Sequence, residues 1–210
     1  MLADEGDIGR KYLTMPPTAS GMAIGLFGGS FNPPHEGHAL VAEIALKRLG
    51  LQQLWWMVTP GNPLKSRREL APLSERIAAS EAMMRDPRVK VTAFEKTLGQ
   101  SYTAQTLSYI RQHNHDCRFV WIMGADNLAT FHHWQHWCEI ATTFPIAVID
   151  RPGSTLAYLS SKMAKVFDYA RVDEDRAQAL PFMKAPAWTF IHGPRSSLSS
   201  SAIRLARTKG

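Results

Sequence analysis

A chain of 210 residues, 45% hydrophobic and 20% charged, is long enough for one good-sized α/β domain and too short for two large independent ones. The net charge of +6 is spread along the chain, so a basic nucleic-acid-binding tail is excluded, while an anionic substrate or RNA fits the charge equally well. No run approaches the roughly 18 apolar residues of a membrane span. The first twenty residues lack an apolar leader core. Cys117 and Cys138 form no C-x-x-C pair, which leaves no disulfide framework or zinc ribbon and points to a reducing, cytoplasmic setting.

Residues 1–21 mix charges, Gly, Pro-Pro and Ser without periodicity and read as a flexible extension before the main domain at 22–210, with Met22 a second candidate start. From there the chain alternates. A strand over 22–27 precedes a helix over 36–49 that Gly50 ends, and a second strand at 53–59 precedes the loop 60–68. A helix over 72–85 has Ser74 as a candidate cap, and Asp86-Pro87 breaks it. Strand 89–92, helix 102–112 with Ser101 near its start, strand 118–123 and strand 145–149 follow. A helical stretch at 155–169, an acidic segment around 173–175, a last strand at 188–192 and a final helix at 199–208 complete the pass. Strands alternating with helices imply a doubly wound parallel sheet with right-handed crossovers, whose ligands sit beyond the carboxyl ends of the strands.

Each chemistry-bearing stretch follows a strand. The most specific is 28–38, Gly28-Gly29-Ser30-Phe31-Asn32-Pro33-Pro34-His35-Glu36-Gly37-His38. Gly28 and Gly29 remove Cβ atoms where a ligand would approach the backbone and permit φ > 0 in the turn. Pro33 and Pro34 stiffen it. His35 and His38, three residues apart at the start of a helix, can both lean toward its mouth, where free N–H groups and the helix dipole favour a phosphate. Gly-Gly after a strand is, alone, merely a turn, and two His alone could be zinc ligands, although no Cys or third His completes a set. Near the C-terminus, Ser197-Leu198-Ser199-Ser200-Ser201-Ala202-Ile203-Arg204 offers hydroxyl caps and an Arg one turn inside a helix, a second phosphate candidate.

The string G-G-S-F-N-P-P-H-x-G-H resembles the H-x-G-H signature of the adenylyltransferases and cytidylyltransferases that share a fold with class I aminoacyl-tRNA synthetases. It is most similar to the bacterial nicotinate-mononucleotide adenylyltransferase family. The resemblance covers roughly residues 22–205 and implies a Rossmann-like nucleotidyltransferase fold with a C-terminal helical segment. It further implies AMP transfer from ATP to nicotinate mononucleotide by in-line attack, giving nicotinate adenine dinucleotide and pyrophosphate. His35, His38 and Arg204 would be the catalytic residues, stabilising charge rather than acting as nucleophiles. Ser199 and Ser200 lie in a segment similar to the family's I-S-S-T-x-I-R motif, which grips the β- and γ-phosphates, here with Leu198 and Ser201 substituted. Gly28, Gly29, Ser30, Phe31, Gly124 and Asp126 would complete the ATP side, Asp126 near the adenosine ribose. Magnesium would be held mainly by the ATP phosphates and water.

Gly124-Ala125-Asp126, with Phe131 and Trp134 beyond it, resembles the family's G-A-D segment and its ring-stacking Trp. The resemblance also places Thr103 and Gln135 where backbone N–H groups read the nicotinate carboxylate, and Asn62 and Lys65 at a substrate phosphate. Leu64 departs from the His that the family often carries before that Lys. His132, His133 and His136 look like a metal cluster but lie in a polar turn and read as solvated or hydrogen-bonded. The alternatives are an adenylyltransferase for nicotinamide mononucleotide or phosphopantetheine, or a non-catalytic nucleotide- or RNA-binding module. No nucleic-acid or membrane partner is expected, and the oligomeric state, homo-oligomer included, is left open.

Overall fold

Aromatic and branched side chains on the strands build a largely buried parallel sheet. The computed structural model describes residues 8–61, 70–99, 102–150 and 160–193. The candidate residues Asn62, Lys65, Ser199, Ser200 and Arg204, as well as Ser101 and the helix expected at 199–208, lie outside the described residues. Strands β1 (Ala23–Gly29), β2 (Gln53–Val58), β3 (Val89–Thr92), β4 (Arg118–Gly124), β5 (Ile146–Ile149) and β6 (Trp188–Ile191) form one sheet in the order β3-β2-β1-β4-β5-β6, every pair parallel. This is the doubly wound α/β arrangement that the alternation implies.

The pleat divides the core in two. Phe27, Leu54, Trp56, Val58, Val120, Ile122, Ala147 and Ile149 face one layer. There α1 (Glu36–Arg48) contributes Val41, Ala45 and Leu46, and α2 (Leu73–Met83) contributes Leu73 and Ile77. Ile24, Leu26, Trp55, Met57, Trp121, Met123, Val148 and Phe190 face the other. That layer holds the short helix α3 (Glu95–Leu98) through Leu98, and α4 (Thr103–His113), α5 (Ala125–Leu128), α6 (Trp137–Thr143) and α7 (Lys162–Val166). The period-2 alternation along every strand is what sends neighbouring side chains into different layers.

Several local expectations change. Gly28 and Gly29 remain in β1 rather than in the turn, and neither has a positive φ. The left-handed residue is Phe31, at φ 44°. Pro72, not Ser74, occupies the N-cap of α2, where its carbonyl accepts the Arg76 N–H at 3.1 Å. Gly50 does follow α1 with φ 62°, a conformation glycine adopts without steric cost. The acidic segment becomes a 3-10 run over Glu174–Phe182. Residues 8–21, read from sequence as an extension, pack on the domain, beside β3 at Tyr12 and near the start of β4 at Gly21. The Tyr12 carbonyl accepts the Ala93 N–H at 2.7 Å, and Gly21 N–H donates to the Asp116 carbonyl at 2.8 Å.

Candidate active site at the sheet's switch point

β1 lies between β2 and β4, so chain connections leave it in opposite directions and open a crevice beyond Gly29 and Gly124. The turn 30–35 and the N-terminus of α1 occupy that crevice. His35 is extended (φ −153°, ψ 165°) and caps α1, its Nδ1 accepting the Gly37 N–H at 3.1 Å. A neutral ring accepting at Nδ1 carries its proton on Nε2, so this cap leaves the outer nitrogen a donor. His38 packs its ring 3.8 Å, centroid to centroid, from that of His35. The two imidazoles predicted to share one helix mouth are therefore adjacent.

His38 is braced by aromatic rings. Phe31 meets it edge-on at 5.0 Å and stacks on Trp56 at 4.3 Å, and Phe27 closes the group. Gly28 and Gly29 make room for aromatic rings on the two faces of the sheet rather than for φ > 0. A Cβ on Gly28 would lie 2.8 Å from Cη2 of Trp121, and one on Gly29 would lie 3.1 Å from Cζ of Phe31. Ser30 contributes its carbonyl to the guanidinium of Arg76 at 2.7 Å.

The opposite wall rises from β4. Gly124, extended at φ −73° and ψ 152°, caps α5; Ala125 is buried and Asp126 exposed. Beyond α5, a 3-10 turn over Phe131–His133 presents Trp134, half-buried and edge-on to Phe131 at 5.5 Å and to Trp121 at 6.4 Å. Gln135 is exposed, and His136 follows with φ 56° at the N-cap of α6. α6 packs on α4, whose first residue is Thr103. Tyr102 caps α4 without a side-chain bond, so the N–H groups of that first turn point out of the helix end.

Two interactions escaped the sequence reading. Arg76 is buried and binds three backbone carbonyls; its signal was a charge on the apolar stripe of α2, between Leu73 and Ile77. Glu95 accepts the Thr106 hydroxyl at 2.8 Å. Burial pushes its carboxyl up to about 7, and the Thr106 bond opposes that shift only in part. His132, 3.9 Å from the ring of His133, is held below its usual pKa by desolvation and by the charges of His133 and Lys162. Among the described residues no three His, Cys, Asp or Glu side chains gather in metal-binding geometry. No described helix is long and apolar enough to cross a membrane.

Paired imidazoles lie at a helix N-terminus over the switch point of a doubly wound sheet, and a cytidylyltransferase-like family model matches residues 26–206. The chain belongs to that family. A probable nicotinate-nucleotide adenylyltransferase of Rhizobium meliloti (strain 1021) is 73% identical over 187 residues, 89% of this chain and 100% of the relative. One of the same name from Brucella abortus (strain 2308) is 66% identical over 188 residues, 90% of this chain and 97% of the relative. In fold, the chain is similar to the Plasmodium falciparum nicotinic acid mononucleotide adenylyltransferase solved in complex with NaAD, with a TM-score of 0.64, 17% identity, and 88% and 83% of the two chains covered.

Proposed function

We propose that this chain is an adenylyltransferase of NAD biosynthesis that joins the AMP group of ATP to nicotinate mononucleotide. The mononucleotide phosphate oxygen attacks the α-phosphorus in line. As that P–O bond forms, the bond to the β-phosphate breaks, and its electron pair leaves on pyrophosphate. The observation that carries the reading is the adjacent His35–His38 pair at the mouth of α1, with the Nδ1 of His35 already occupied by Gly37. A donor nitrogen fixed in this way stabilises charge developing on the α-phosphoryl oxygens without reorganising at the moment of reaction. Neither ring needs to form a bond to phosphorus.

The other roles follow the family resemblance. Gly28, Gly29, Ser30 and Phe31 face ATP, and Asp126 beside Gly124 takes the adenosine ribose. Ser199, Ser200 and Arg204 neutralise the leaving pyrophosphate. Magnesium would enter on ATP, held mainly by the phosphates and water. The pyridine ring stacks on Trp134, where an electron-poor cation meets an indole face. The nicotinate carboxylate meets the N–H groups of Thr103 and Gln135, charge-assisted bonds that a neutral amide cannot equal. Asn62 and Lys65 approach the mononucleotide phosphate.

The test is pyrophosphate release with ATP and, in turn, nicotinate mononucleotide, nicotinamide mononucleotide and phosphopantetheine. Turnover is expected to be fastest with the first. Preference for either of the others reassigns the acceptor, and no release with any of them supports a nucleotide-binding module without catalysis.

A further inference from the structure

Arg76 joins three segments that meet at the crevice. Its Nη1 donates to the carbonyls of Ser30 at 2.7 Å and Thr59 at 2.8 Å, and its Nε donates to that of Ala71 at 3.0 Å. Ser30 is the first residue beyond β1, Thr59 the first beyond β2, and Ala71 precedes the cap of α2. The side chain is only 2% exposed. Burying a guanidinium is costly, and an apolar residue on the same stripe of α2 would pack the core without that cost. What the charge supplies is a fixed fork of donors that sets three carbonyls at defined separations.

The segment so held contains a strained residue. Phe31 lies at φ 44°, a region that bulky side chains avoid and keep only where their surroundings over-determine the backbone. Its surroundings do so on both flanks. Before it, the Ser30 carbonyl is bound by Arg76; after it, the side-chain oxygen of Asn32 accepts the Ala71 N–H at 3.1 Å. The ring itself is stacked on Trp56 and presents its face or edge to His38 within 5.0 Å.

We infer that Arg76, together with Asn32, is a positioning clamp for the known turn: it holds Phe31 in its left-handed conformation, and through the Phe31 ring it fixes His38 against the transferring phosphoryl group. The clamp rests on the reading of His38 as a charge stabiliser, and it adds a reason why a bulky aromatic stands where glycine would be free of strain.

Three variants, Arg76→Lys, Asn32→Ala and Ile77→Val, are compared with wild type and His38→Ala by pyrophosphate release and thermal unfolding. Lysine keeps the charge but cannot span three carbonyls, so R76K is expected to lower kcat by about 10- to 100-fold, the scale of a misplaced catalytic group. The loss is read in kcat at saturating substrate; KM for the mononucleotide is expected to rise as well, because Thr59 and Ala71 flank the loop that carries Asn62 and Lys65. Ile77 is the buried neighbour of Arg76 on α2, so I77V loosens the same helix while leaving kcat unchanged. Asn32→Ala should repeat the kcat loss and carries the test by itself if R76K does not fold. R76K or N32A with wild-type kcat, or a loss no greater than that of I77V, overturns the clamp while H38A remains impaired. Normal turnover in H38A overturns the reading of His38, and the clamp with it.

Discussion

His38 meets three aromatic rings and one imidazole, and in the proposed mechanism it contributes by being held still. Its replacement by Ala should lower kcat on the order of 10²–10³, the usual loss on removing one preorganised charge stabiliser, as read in pyrophosphate release at saturating substrate. Trp134 belongs to the opposite wall, and Trp134→Ala should raise KM for the mononucleotide more than KM for ATP. Equal rises in steady-state kinetics would remove the stacking role. At this scale the sequence was most legible where function is local. Two imidazoles three residues apart with Gly37 between them can be read as a helix mouth without any tertiary knowledge. The conformation of the turn was not legible, because Gly28 and Gly29 invite a positive φ that Phe31 adopts instead. That inversion depends on Trp56 and Arg76, which are distant in sequence and supply the stacking and hydrogen bonds that hold it.

Helices α1 and α4 announce themselves by apolar residues on one face over 13 and 11 residues. α3, α5 and α6 span four, four and seven residues, too few turns to display a period, and they exist because tertiary packing buries them. α3 nevertheless matters to its neighbour. Its Glu95 accepts the hydroxyl of Thr106 in α4, the helix whose N-terminus is proposed to meet the substrate carboxylate. The carboxyl titrates at about 7 in the fold against 4.5 for an ordinary Glu. The folded state therefore binds this proton more tightly than the unfolded chain does. Its stabilising contribution is complete below about pH 4.5 and is lost as pH rises through about 7, a swing of up to about 3 kcal/mol. Glu95→Gln keeps an acceptor for Thr106 but cannot ionise. In urea unfolding from pH 4.5 to 8.5, wild type should lose stability relative to this variant as pH rises through about 7; parallel curves would mean that the carboxyl is solvated in the fold.

For the molecule as a whole, alternating strands and helices made the doubly wound sheet readable, and the handedness of crossovers limited its topology. The strand order was less readable. Strands buried on both faces carry no polar alternation to distinguish a central position from an outer one. The sequence likewise misses what covers the sheet's margins. Residues 171 and 172 bridge to Trp188 beside β6, Val172 N–H donating to its carbonyl at 2.7 Å. At the other margin, the hydroxyl of Thr92 donates to the carbonyls of Tyr12 and Thr14, while Ile8, Tyr12 and Leu13 pack into one core layer and Met15 into the other. A Pro-rich, aperiodic stretch gives no hint of this, since backbone carbonyls and a few scattered apolar residues do the holding. The segment 8–21 thus works as a hem. An outer strand left bare is a template on which another molecule's strand can add. A chain cut to begin at Met22 should keep its turnover per molecule when freshly diluted, yet self-associate on concentration, measured as a rise in light scattering; a cut chain that stays monodisperse would show the hem to be dispensable. Residues 8–21 would then set how concentrated the enzyme can be before it sticks to itself.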